Sequence, residues 1–415
     1  MKTYKLTDIA EVIVGGTPKT SVAEYWNGDI PWLSVKDFNK VTRYVLTTEK
    51  KISMEGLQKS STNLLKKDDI IISARGTVGA LAMIKTPMAF NQSCYGIRVN
   101  AEKVSHAYLF YSLKTKIKAL KAASHGSVFD TITLDTLNGL DFELPSLNEQ
   151  LCASNFLSLL DEKIELNNSI NRNLEAIARQ LYDYWFVQFD FPDENGRPYK
   201  SSGGTMVWNE KLKKEIPENW EPKMIRNVCE IQKEICSPKD RPDTIFHHYS
   251  IPAFDKTGAY VLEKGIEIQS NKLLISNNDI LFSKLNPWTS RVVWCGKYTN
   301  QIASTEFMVL RPKIDDRGYL YMILKDPELI AYASRGSTGT SNSHKRVNPE
   351  FLLSYHIPYE TSTVSKFSEF INSIQIQVLK NRDEITLLAS QRDELLPLLM
   401  NEQVSVKLTK VNCDL

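Results

Sequence analysis

Apolar residues recur at helical spacing in two stretches of the chain and at strand spacing through most of the rest. In "LSLLDEKIELNNSINRNLEAIARQLYDYWF" (157–186), Leu160, Asn167, Leu174 and Leu181 fall seven apart, and Ile170, Ile177 and Tyr184 follow the last three by three residues. This spacing predicts a long helix with a seam for a partner helix and one polar residue planted in it. A helix over 151–186 would be about 54 Å long, a spacer as well as an adhesive surface. A second seam lies near the end of the chain. Ile371, Val378, Ile385, Arg392 and Leu399 form one row, with Phe367, Ile374, Asn381, Leu388 and Leu395 beside it. Here too an Asn interrupts apolar positions, which sets register and partner at some cost in stability. Two such seams in one chain can satisfy each other, with Asn167 and Asn381 as the expected polar pair. The alternative is that each helix packs on its own neighbouring block.

Between and before these helices the pattern repeats. "NLLKKDDIIISARGTVGALAMI" (63–84) has a partner in "KLLISNNDILFSKLNPWTSRVVWC" (272–295), each a polar approach, a buried strand and a turn marked by Gly or Pro into another strand. "AYLFYSLKT" (107–115) and "GYLYMILKD" (318–326) open matching segments that run from an amphipathic helix through a Gly-Ser turn to an apolar strand ending at Pro. The offset stays near 210 residues, so the chain is two copies of one plan. The Pro/Gly/Ser-rich run "FPDENGRPYKSSGG" (191–204) reads as a linker between them.

At 415 residues, two or more domains are the default, and 42% hydrophobic with 24% charged residues describes a globular chain. No run of apolar residues is long enough to span a membrane, so a cytoplasmic location is expected. The six cysteines (Cys94, Cys152, Cys229, Cys236, Cys295, Cys413) form no C-x-x-C pair and predict reduced thiols, with neither disulfides nor a zinc site. The net charge of +2 hides a small basic excess in the two large blocks, 19 Lys/Arg against 15 Asp/Glu in 1–150 and 21 against 19 in 206–365. Such an excess permits nucleic-acid binding without demanding it.

The chain's chemistry is basic and hydroxyl-rich. The Gly turns at Arg75-Gly76-Thr77-Val78-Gly79, His125-Gly126-Ser127 and Arg335-Gly336-Ser337-Thr338-Gly339-Thr340 can offer N–H groups and hydroxyls to phosphate, but none continues into Gly-Lys-[Ser/Thr], which excludes a P-loop. Asn286-Pro287-Trp288 is similar to the Asn-Pro-Pro-aromatic motif of amino-group methyltransferases but lacks its second proline and its Gly-rich cofactor loop. No catalytic residue and no metal ligand set is assigned. Lys114, Lys116, Lys118 and Lys121 crowd a helix, and "SRGSTGTSNSHKR" (334–346) sets cations among Ser, Thr and Asn, the side chains that bind phosphates and base edges. The candidate DNA contacts in the first copy are Lys19, Thr20, Lys36, Arg75, Thr77, Asn91, Gln92, Lys118, Lys121, His125 and Ser127. In the second they are Lys284, Asn286, Arg291, Arg335, Ser337, Thr338, Asn342, His344 and Lys345.

"LPSLNEQ" (144–150), the Asn-rich helix through "ARQLYDYWFVQFDFP", "NGRPYKSSGG" (195–204) and "EIPENW" (215–220), with the opening "GGTPKTS…YWNGDIPWLSVKD" (15–37), resemble the specificity subunit of type I restriction-modification systems. The resemblance covers essentially the whole chain. It implies a mixed α/β (α+β) internal repeat, with two target recognition domains separated by two long, mutually packed, antiparallel coiled-coil helices. Each domain would read half of a bipartite, asymmetric site in double-stranded DNA. The helices would act as spacer and as docking surface for methyltransferase (modification) subunits, with restriction (motor) subunits completing the complex. The chain itself would be non-catalytic and bind no cofactor, S-adenosylmethionine, ATP and magnesium belonging to the partners. The expected divisions are recognition domains at 1–147 and 206–362, helices at 148–190 and 363–403, a linker at 191–205 and a tail at 404–415. "IPYETSTVSKF" (357–367) departs from the family in lacking the Glu-Gln seen at Glu149-Gln150. A coiled-coil scaffold that binds no DNA is the competing reading, suggested by the near-neutral charge.

Overall fold

The buried strand at the centre of each copy explains most of the architecture. The structure, a computed structural model, describes residues 2–38, 43–123, 131–313, 316–339, 344–401 and 403–404. It forms two compact units, Met1–Ser169 with Arg382–Leu415, and Ile170–Asn381, whose boundaries fall inside the two long helices.

In the first unit, Ile70–Ser73 is the middle strand of a five-stranded sheet ordered Ala10–Val14, Cys94–Val99, Ile70–Ser73, Leu81–Ile84, Tyr44–Val45. Both of its faces are covered, which is why it reads as an unbroken apolar run. Ile70 and Ile72 pack with Tyr108, Leu109, Leu113 and Ile117 of the helix His106–Ala123. Ile71, on the opposite face, joins Ile84 of its own sheet and Leu33 and Phe90 of the layer beneath. That layer is a four-stranded sheet ordered Lys50–Ile52, Trp26–Leu33, Met88–Phe90, Leu64–Leu65.

The second unit repeats this order. Cys229–Gln232, Phe307–Pro312, Ile280–Ser283 and Val292–Trp294 form one sheet, and Val261–Lys264, Ile245–Tyr249, Gln301–Ala303 and Lys272–Leu274 the other, extended by Ile235–Cys236. In both copies the equivalent inner strands run parallel, with Trp32 opposite Ala89 and His247 opposite Gln301. A buried carboxylate enters each central strand. Asp69 accepts the Lys66 N–H at 2.8 Å and pairs with Arg98 at 2.8 Å, and Asp279 accepts the Ser276 N–H at 2.7 Å and pairs with Arg311 at 2.7 Å.

The first long helix spans Leu147–Tyr182 and passes into a π-turn at Asp183–Val187. It starts with a capping box, in which Ser146 N–H and hydroxyl donate to Glu149 and the Glu149 N–H returns to Ser146 Oγ. The second spans Thr361–Met400, and there Glu360 takes over the cap by accepting the N–H groups of Ser362 and Thr363. This is the physical content of the missing Glu-Gln. At 36 and 40 residues the helices are about 54 and 60 Å long.

Within each unit the two helices pair antiparallel. In the first, Arg392 binds Asp161 at 2.7 Å and Asn167 donates to Glu384 at 2.9 Å. In the second, Asn381 donates to Asn171 at 2.7 Å, and Tyr182, Trp185 and Phe186 close around Phe367. The seam expected on the terminal helix is present, with Phe367, Ile371, Val378, Asn381, Leu388 and Leu399 buried. On the first helix the expected row holding Asn167 stays at the seam, but its companion row lies on the other side from the one expected. Leu157, Ile164, Asn171, Ala178 and Trp185 are buried together with Asn167 of the expected row, whereas Ile170, Ile177 and Tyr184 face solvent. Asn381 therefore pairs with Asn171 and not with Asn167.

The linker expected at 191–205 is a folded part of the second unit. Phe191 stacks on Tyr199 and packs on Trp220, and Asp190 accepts the N–H and hydroxyl of Ser201 at 2.7 and 2.6 Å. The Pro and Gly residues shape a closed loop on an aromatic core, and its polar composition reflects the loop's exposed side.

Candidate nucleic-acid interface

The first copy gathers its candidate residues around the turns that follow its buried strands. Ala74 and Arg75 donate their N–H groups to Ser93 O at 2.7 and 3.3 Å, so the turn Arg75–Gly79 lies beside Asn91–Ser93. Thr17 hydrogen-bonds to Gln92, and Gly16 N–H donates to Phe90 O at 2.9 Å, which brings the loop bearing Lys19 and Thr20 to the same place. Asn91 N–H donates to Leu33 O at 2.9 Å, fixing the end of the strand from which the turn with Lys36 departs.

Lys36, Thr77, Lys118 and Lys121 line one cleft of about 740 Å³. Gly79 makes its wall possible: its φ is +71°, and a Cβ there would lie 2.6 Å from Ile117 and 2.8 Å from the Lys121 chain. Lys114, Lys118 and Lys121 share a helix face at i, i+4 and i+7. Lys116 points elsewhere and covers the Phe142 ring at 5.2 Å. Arg43, Lys114 and Arg392 also line the cleft, where Asp161 and Asp393 are the acids. Arg43 and Arg392 are held by neighbours. Arg392 lies 2.7 Å from both Asp161 and Asp393, while Arg43 donates to Ser158 and to Tyr44 OH at 3.1 Å. Lys114 has no such bond, and burial, then the Arg392 charge, pulls its pKa below the usual ammonium value. The lysines leave this cleft with a positive excess suited to phosphate. The sequence pattern grouped Lys114 with its neighbouring lysines but not among the candidate contacts, named Arg392 only as a seam residue, and gave no sign of Arg43. The helical spacing to Lys118 signals Lys114, and a lone Arg in an apolar heptad row signals Arg392.

In the second copy the loop after Ile280–Ser283 is clasped to the segment near residue 345. Asn286 N–H donates to Lys345 O at 2.8 Å, Lys345 N–H returns to Asn286 Oδ1 at 3.2 Å, and Val347 N–H reaches Lys284 O at 3.0 Å. Ser337 and Thr338 pair with Val347 and Arg346, so Lys284, Asn286, Ser337, Thr338 and Lys345 converge. Arg335 ends the helix Pro327–Arg335 and is exposed, as is His344. Arg291 is already engaged, gripping Asp255 through two bonds of 2.7 and 2.8 Å and Thr289 Oγ1 at 2.7 Å, so it braces the loop. His125, Ser127 and Asn342 lie outside the described residues.

Other chemistry is sparse. Cys94, Cys152, Cys229, Cys236 and Cys295 are free thiols, and burial pushes Cys94 and Cys229 up to about 12. Among the described residues no group of His, Cys, Asp or Glu is arranged to hold a metal ion, and no helix is long and apolar enough to cross a membrane.

Residues 1–176 match the type I restriction modification DNA specificity domain. The chain is similar to type I specificity subunits over nearly its whole length. The MjaIX specificity subunit of Methanocaldococcus jannaschii is 28% identical over 424 residues, covering 97% of this chain and 93% of that one. The EcoR124I/EcoR124II specificity subunit of Escherichia coli is 28% identical over 198 residues, 45% of this chain and 48% of its own. The crystal structure of the type I S subunit from M. genitalium superposes with a TM-score of 0.59 at 15% identity, over 98% of this chain and 96% of that one, a likeness of fold.

Proposed function

We propose that this chain is the DNA-reading subunit of a type I restriction-modification complex, each copy of the fold recognising one half of a bipartite, asymmetric site. The observation that carries this reading is the repeat itself. The same two-sheet frame occurs twice, and each time basic, hydroxyl- and amide-bearing turns gather after the central buried strand. The side chains on those turns differ between copies, as two different half-sites require. Lys and Arg supply phosphate affinity, while Asn, Gln, Ser and Thr supply base contacts.

The long helices serve as spacer and as docking surface for modification subunits. Leu159, Leu166, Ile170, Ile177 and Tyr184 fall on one face of the first helix and are 62%, 57%, 36%, 51% and 38% exposed. An apolar row of this length marks a protein-binding face. The reaction itself, with S-adenosylmethionine, ATP and magnesium, belongs to the modification and restriction subunits, and this chain acts by binding. The deciding experiment is methylation by the chain together with its modification subunits. One bipartite sequence should be methylated, and activity should fall when the gap between its halves is lengthened or shortened by one base pair. Methylation indifferent to that gap overturns the proposal.

A further inference from the structure

Trp288 stands at the tip of the loop that joins Ile280–Ser283 to Val292–Trp294, and its side chain is 45% exposed. A large apolar ring left in water by a mobile loop would mean little. This loop is built to be rigid. Pro287–Thr289 form a single 3-10 turn flanked by two non-glycine residues in the left-handed region, Asn286 at φ 49° and Ser290 at φ 50°. Such conformations survive only where their surroundings impose them.

Here the surroundings do so from every side. Asn286 is clasped to the Lys345 backbone through both its own N–H and its side-chain oxygen. Thr289 hydroxyl donates to Asn286 O at 2.7 Å, and Ser290 N–H closes on Pro287 O at 2.9 Å. Arg291 ties Thr289 to Asp255. Pro287 is buried beneath the turn. The bonds fix the backbone on both sides of Trp288 while leaving the indole outside. Strain held in this way, with an exposed aromatic as its only product, calls for a ligand with an apolar face.

We infer that Trp288 is a base-contacting residue of the second copy, its indole packing against the base edges of that half-site. The inference rests on the DNA-reading function proposed above and adds a residue to it. Lys284, Asn286, Ser337, Thr338 and Lys345 surround the same loop, so polar contacts and phosphate affinity lie alongside the ring. Apolar groups read thymine methyls and base steps, which charged groups do not. The equivalent loop of the first copy, Arg75–Gly79, joins Ile70–Ser73 to Leu81–Ile84 and carries no aromatic residue. Only the second half-site would therefore be read this way.

The test uses the full chain assembled with its modification subunits and three duplexes: the methylated site, the same site with its second half scrambled, and one with its first half scrambled. Trp288→Ala should bind the intact site roughly 10- to 100-fold more weakly, with affinity for the second-half scramble unchanged and Trp288→Phe retaining most of the discrimination. Wild-type indole fluorescence should be quenched by the intact site more than that of Trp288→Phe, a readout independent of how well the alanine variant folds. Unchanged discrimination in Trp288→Ala, an equal loss on all three duplexes, or equal quenching in both proteins overturns the inference. A wild-type complex that ignores scrambling of either half would instead overturn the DNA-reading function, and this assignment with it.

Discussion

Asn381 donates its side-chain amide to Oδ1 of Asn171 at 2.7 Å, both residues being buried between the long helices of the second unit. Gln377 donates to Asn381 Oδ1 at 2.7 Å, and Asn171 donates to Val378 O at 3.4 Å, so the pair is part of a small network. Such a pair selects register more than it stabilises. Replacing Asn381 alone with Leu strands a buried amide and should cost about 1–2 kcal/mol. Replacing Asn171 and Asn381 together should recover most of that loss. A double-mutant cycle by urea unfolding measures the coupling, and strictly additive losses would contradict the network.

Arg392 interrupts the apolar row of the terminal helix to meet Asp161, and Tyr111 donates to the same carboxylate at 2.6 Å. The Arg392 and Asp161 side chains are 15% and 11% exposed, so neither charge is easily returned to water. Arg392→Met should lower the stability of the first unit by about 3 kcal/mol. Tyr111→Phe should cost about 1 kcal/mol. Thermal and denaturant unfolding would rank the two, and the reverse order would show that the ion pair is not what fastens this helix.

Lys118 and Lys121 line the cleft, and Lys116, on the same helix, does not. If the cleft holds DNA phosphates, replacing Lys118 and Lys121 with Ala should weaken binding to cognate and scrambled duplexes alike. It should also reduce the slope of log Kd against log salt by roughly 2. Lys116→Ala should leave the slope unchanged. Salt titrations of the assembled complex would distinguish these outcomes.

His248 is buried beside Glu263, and burial holds its pKa below the usual imidazole value of 6.5 although donating a hydrogen bond to Glu263 raises it. The folded-state pKa thus lies below the unfolded one, so the unfolded chain takes up this proton first as pH falls. The contribution to stability is complete above pH 6.5 and declines as the pH drops through that value. His248→Gln should flatten the fall in melting temperature between about pH 7.5 and 5.5. An unchanged profile would place the acid sensitivity elsewhere.

Much of the fold was legible because the two copies share a pattern even where their residues differ. The Asp before each central strand sits in the same polar approach, at Asp69 and Asp279, and each finds its Arg on the neighbouring strand. The loops that bear the candidate contacts were legible too, since Gly, Ser and Asn between strands mark turns. Their individual roles were not. Arg291 looks like any exposed cation in the sequence, yet Asp255, 36 residues away in the chain, claims it.

The amino-acid sequence by itself determined that there are two copies, that each ends in a long heptad helix, and that a polar residue sits in each seam. Periodicity and composition are local properties, and a chain carries them wherever it folds. The tertiary structure alone decided which second row is covered beside Asn167 on the first helix. Leu160, Asn167, Leu174 and Leu181 form one row, and Leu157, Ile164, Asn171 and Ala178 lie three residues, or about 60°, round the helix from it. Ile170, Ile177 and Tyr184 lie as far to the other side and are as apolar, so spacing cannot tell which of the two flanking rows is covered. The choice falls to the volume and hydrogen bonds that Phe367, Val378 and Asn381 offer from the other helix, and it leaves Ile170, Ile177 and Tyr184 exposed.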